Sequence, residues 1–113
     1  MQSLEAFTTK TVHYREYPIR VIKYPSTGKV YFCVRDILSA LGITNYNRIL
    51  ARVSSNHKII AKLYTPTHRY PQRYWMVDKY GVASIVYRTT RSKVDPNEFF
   101  IWAEEISQKD TLS

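Results

Sequence analysis

One hundred and thirteen residues with 44% apolar and 14% aromatic side chains suit one compact domain and exclude a chain that is disordered throughout. A single cysteine, Cys33, rules out an intrachain disulfide and any zinc site built on paired cysteines, and suggests a reducing, cytoplasmic setting. The net charge of +8 is concentrated in residues 45–93, which hold ten basic groups against one acidic, while residues 94–113 hold one basic against five acidic. So uneven a distribution favours an acidic partner, nucleic acid first.

Met1–Lys10 has neither a basic start nor an apolar stretch, and none of Asn45, Asn47, Asn56 or Asn97 opens a glycosylation sequon, so secretion is not expected. The longest apolar run, Phe99–Ala103, is far too short to span a bilayer, so no membrane partner is expected. In chain order, residues 1–10 read as loose. Tyr17–Tyr24 and Lys29–Val34 are rich in β-branched and aromatic residues around Pro25-Ser26-Thr27-Gly28, the pattern of a hairpin with a four-residue turn. Val30, Phe32 and Val34 alternate with Tyr31 and Cys33, which predicts one core face and one partly covered face, with Cys33 as a small buried filler.

Asp36 is placed to cap a short helix with Ile37, Leu38 and Leu41 inward, stopped by Gly42. Thr44 is placed to cap a second, in which Tyr46, Ile49, Leu50 and Val53 share a buried face opposite Asn45, Asn47, Arg48, Ala51 and Arg52. Together residues 36–53 predict a helix-turn-helix-like pair. Lys58–Tyr64 and Arg73–Val77 predict a second, basic hairpin around the proline-stiffened loop Thr65–Gln72. It would either project as a wing or be an edge hairpin guarded by its lysines. Asp78 is placed to cap a third helix with Val82, Ile85 and Val86 inward, followed by the basic connector Arg88–Lys93. Asp95-Pro96-Asn97-Glu98 then has a capping aspartate, proline at the first helical position and a glutamate three residues after the cap. It opens a helix whose stripe is Phe99, Trp102, Ala103 and Ile106.

The converging groups an enzyme needs are not evident. His13, His57 and His68 lie in separate segments without a partner at helical metal-ligand spacing, and Asp36 and Asp78 are better explained as caps than as a nuclease carboxylate pair. There is no phosphate-cradling glycine loop and no Gly-x-Ser-x-Gly elbow. A binding protein without metal or cofactor is expected.

The order of landmarks resembles the Bro-N domain, found at the N-terminus of phage antirepressors and of the BRO proteins of large DNA viruses. The basic strand Ile19–Lys23 is followed by Tyr31-Phe32-Cys33-Val34-Arg35-Asp36 running to Leu41-Gly42, and then by Asn45. A lysine-bearing hairpin with Gln72 near its second strand, a Tyr80-Gly81-Val82 helix start and a Phe99-x-x-Trp102 helix complete the set. The resemblance spans about residues 17–107 and implies a small α+β fold, DNA binding and a role in phage or viral gene regulation. The chain departs from many relatives in the second hairpin turn, where prolines and Arg69 stand in place of glycines. Relatives often continue into a second, C-terminal domain, which these 113 residues do not include.

These readings converge on one α+β domain over residues 1–113, two hairpins packed with about four short helices, its core about 17–107 and residues 108–113 loose. Lys58, Lys62, Arg69, Arg73, Arg88, Arg91 and Lys93 are expected to neutralise phosphates of duplex DNA. Asn47, Arg48 and Arg52 are expected to meet base edges, because arginine pairs with guanine and asparagine with adenine. The alternative is a protein-binding antirepressor that engages a phage or host repressor through Tyr64, Tyr70, Tyr74 and Trp75. A module this small would gain affinity for DNA as a homodimer.

Overall fold

The computed structural model describes residues 7–89 and 93–108. Its elements run β1 (Thr8–Tyr14), β2 (Tyr17–Tyr24), β3 (Lys29–Cys33), α1 (Val34–Leu41), α2 (Tyr46–Ala51), a 3-10 turn (Ser55–His57), β4 (Lys58–Leu63), β5 (Gln72–Val77), α3 (Lys79–Tyr87) and α4 (Pro96–Gln108). The five strands form one antiparallel sheet in the order β1-β2-β3-β5-β4. The α+β class follows directly.

The alternation along the strands sorts the sheet into two faces. Ile19, Val21, Val30, Phe32 and Val77 pack under all four helices, where Ile37, Leu41, Leu50, Val82, Ile85, Phe99 and Ala103 complete the main core. Tyr31 and Cys33 face the other way, and the expectation of a partly covered face is corrected there. Both are buried, within a second cluster made with Ile22, Ala61, Leu63 and Met76 and flanked by Phe7, Tyr24, Ile59 and Tyr74. Among the described residues that cluster contains no helical side chain; strand residues, with Phe7 just before β1, pack there.

Two readings of the chain are revised by strand pairing. The second hairpin is not a separate wing, because Phe32 pairs with Val77 and Cys33 with Met76, which stitches β5 onto β3 and leaves β4 as an outer strand. Residues 8–10 belong to β1, a strand whose register runs from Thr8↔Lys23 to Tyr14↔Tyr17.

The caps divide in the same way. Asp78 caps α3, its Oδ1 accepting from the Gly81 amide at 2.9 Å, and Asp95 accepts from the Asn97 amide at 2.8 Å at the start of α4. Glu98 does not close a capping box; it receives Arg15 Nη2 at 2.7 Å and ties the β1–β2 turn to α4. Asp36 does not cap α1, which begins two residues earlier at Val34, and Thr44 does not cap α2, which starts from Asn45 without a side-chain cap bond. Gly42 ends α1 in the left-handed region at φ 75°, as a helix-stopping glycine should.

Candidate nucleic-acid interface

α2 is short because Asn45 and Arg52 bound it, and its inward residues Ile49 and Leu50 hold it on the core. Tyr46 also packs partly against the core, while Asn47, Arg48 and Ala51 face outward. Arg48 and Arg52, one turn apart, line a cleft of about 510 Å³ whose opposite wall is the end of α3, with Arg88 and Thr89. The α1–α2 loop closes the cleft with Thr44 and Asn45. Asn47 lines a neighbouring recess together with Arg48.

The basic hairpin lies beyond α2. Lys58 Nζ donates to the Leu50 carbonyl at 3.0 Å and sits 5.3 Å from the Trp75 ring centre, so it fastens β4 to the last turn of α2. Two and four residues along the same face of β4 come exposed Ile60 and Lys62, and Lys62 stands directly opposite Arg73 of β5. Directly opposed cross-strand side chains point to one side of the sheet, so these two cations are neighbours. Arg69 is exposed in the loop between the strands.

Lys93 is held elsewhere. Its backbone amide bonds the Leu41 carbonyl at 3.1 Å, its stem lies over Gly42 and its Nζ donates to the Tyr17 hydroxyl at 3.3 Å. Arg91 lies outside the described residues. The structure thus brings Arg48, Arg52 and Arg88 to one cleft, sets Lys62 beside Arg73 on the outer hairpin, and places Lys93 by Gly42. Of the aromatic residues, Tyr64 and Tyr70 are exposed, while Tyr74 and Trp75 are half-buried against the two cores.

The electrostatic consequence is uncompensated repulsion. Arg48 and Arg52 are a like-charge pair at helical i, i+4 spacing, and Lys62 and Arg73 are a like-charge cross-strand pair; both arrangements cost the fold a few tenths of a kcal/mol. None of Arg48, Arg52, Lys62, Arg69, Arg73 or Arg88 makes an ion pair among the described residues. Asp36 is paired with Arg20, Glu98 with Arg15, and buried Asp78 with Gly81, His57 and Lys29. Sequence reasoning did not find Thr44, Thr89 or the convergence of Arg88 with α2, because the α3 terminus reaches α2 only through the tertiary fold.

Among the described residues no helix is long and apolar enough to cross a membrane, and no group of three His, Cys, Asp or Glu side chains could hold a metal ion. Fold and surface define a small α+β domain with helices on one face of an antiparallel sheet and, among the described residues, exposed arginines and a lysine without ion pairs on α2, at the end of α3 and on the outer hairpin. The family model for the BRO family, N-terminal domain, matches residues 18–106, and the chain belongs to that family. The family is associated with phage and viral regulatory proteins and with DNA binding. No curated protein and no solved structure matches the chain.

Proposed function

We propose that this chain is the DNA-binding module of a phage or viral regulatory protein, acting in the host cytoplasm and laying its α2 and outer-hairpin surface along duplex DNA. The observation that carries this reading is the set of like-charged neighbours with no carboxylate between them, Arg48 with Arg52 and Arg88, and Lys62 with Arg73. A polyanion relieves both repulsions at once. In this reading Lys58, Lys62, Arg69, Arg73, Arg88, Arg91 and Lys93 supply the sequence-independent attraction to phosphates, and Asn47 reads a base edge.

Neutralising about four to six phosphates gives log K a slope of roughly −4 to −5 against log salt. A gel-shift titration at two salt concentrations, with duplex and single-stranded probes, tests this; a salt-independent shift, or none at low salt, rejects it. A second reading, capture of a phage or host repressor protein, is favoured by the exposure of Tyr64 at 79% and Tyr70 at 69%, since interfaces are enriched in tyrosine. Its signature is loss of partner binding on Tyr64→Ala and Tyr70→Ala with DNA affinity unchanged.

A further inference from the structure

We infer that Arg48, Arg52 and Arg88 form a clamp for one phosphate group, so that α2 anchors the domain to a nucleic-acid backbone instead of reading bases through its arginines; the inference rests on the DNA-binding reading above. Its first support is placement. Arg48 and Arg52 come from one face of α2 and Arg88 from the end of α3, and all three line the same cleft of about 510 Å³. A groove-reading helix must project its base-contacting side chains from a convex ridge, whereas these three border a recess.

Charge decides between a phosphate and a base edge. The acceptor edge of guanine is neutral and suits one guanidinium, which would leave two of the three arginines facing each other uncompensated. A phosphate carries a full negative charge on oxygens that several planar guanidinium forks approach from different sides. Among the described residues no carboxylate lines the cleft, whereas Thr44, Asn45 and Thr89 do. Their short polar side chains suit the same ligand, since hydroxyl and amide groups commonly hydrogen-bond phosphate oxygens.

The test combines two measurements. Arginine Nε–Hε signals are followed by NMR during titration with inorganic pyrophosphate, and gel shifts are run with two duplexes of unrelated sequence for the wild type, Arg48→Gln, Arg88→Gln and Arg48→Lys. The clamp requires the signals of Arg48, Arg52 and Arg88 to move with one midpoint. Each glutamine variant weakens both duplexes alike, by about tenfold, and makes the salt slope shallower by about 1. Arg48→Lys, which keeps the charge and loses the fork, retains the slope with a smaller loss of affinity.

A change in preference between the two duplexes on Arg48→Gln, or three independent midpoints, overturns the clamp. Duplex binding with an unaltered slope in both glutamine variants also overturns it and leaves the DNA-binding reading standing. Saturation by pyrophosphate with no duplex shift at low salt upholds the clamp as a site for free phosphate and removes the DNA reading.

Discussion

Arg20 holds Asp36 by both carboxylate oxygens, Nε at 2.8 Å and Nη2 at 2.9 Å, while the Arg20 backbone amide donates to the same carboxylate at 2.9 Å. The guanidinium also lies 4.3 Å from the Tyr74 ring centre, so one side chain joins β2, the start of α1 and β5. This bond raises the arginine's pKa further above its already high value. Asp36→Ala leaves a partly buried guanidinium and a backbone amide unpaired, and should cost about 3 kcal/mol in urea unfolding. Arg20→Lys should recover little, because an ammonium cannot make the two-pronged contact. A loss below 1 kcal/mol for Asp36→Ala would show the pair to be ornamental.

Lys62→Glu sets a carboxylate opposite Arg73 and turns a repulsive cross-strand pair into an attractive one. Stability should rise by about 0.5 kcal/mol while duplex affinity falls and its salt slope becomes shallower. Thermal unfolding and gel shifts on one preparation check both; unchanged DNA affinity removes the hairpin from the interface.

Gly81 sits where α3 presses on β5 and the 3-10 turn. A Cβ there would lie 2.6 Å from the Val77 Cβ and 3.0 Å from the His57 carbonyl oxygen, neither of which is a flexible chain end. Gly81→Ala should therefore destabilise by about 2 kcal/mol despite alanine's better helix propensity. Asp78→Ala, which removes the cap of the same helix and the partner of His57, should cost at least as much. Equal or higher melting temperature for Gly81→Ala is the contrary result.

Burial, and then the Asp36 carboxylate, pushes the Cys33 thiol up from 9.0 to about 11. The thiol is wholly enclosed, so it should react with a thiol reagent only at the rate of unfolding. Because the unfolded chain loses this proton first, the stability it contributes is complete below about pH 9 and is lost as pH rises through about 11. The loss is roughly 2–3 kcal/mol and should be absent in Cys33→Ala. Identical alkaline profiles for the two proteins contradict it.

What was legible in the sequence was local. Asp78, Asp95 and Gly42 act within one turn of themselves, and the inward stripes of α2, α3 and α4 follow from spacing alone. β1 was not legible because Thr8–Thr11 and His13 are exposed, which leaves no alternation, and its hairpin turns at Arg15-Glu16 without glycine, asparagine or proline. Arg15 takes the left-handed conformation there at φ 56°. Asp36 reads as a cap from local spacing because its actual partner, Arg20, lies sixteen residues away on β2. In the candidate interface the Arg48 and Arg52 spacing was visible, whereas the arrival of Arg88 depends on how α3 packs.

Just two residue pairs, Phe32↔Val77 and Cys33↔Met76, join β3 to β5. The sheet is thus two ribbons sewn along a short seam, and a chain growing on the ribosome cannot close that seam until Gln72–Val77 have been made. Until then the outer margin of β3 lies open, with Tyr31 and Cys33 bare on one side and Val30 and Phe32 on the other, so any truncation before β5 should yield a sticky, chaperone-dependent fragment.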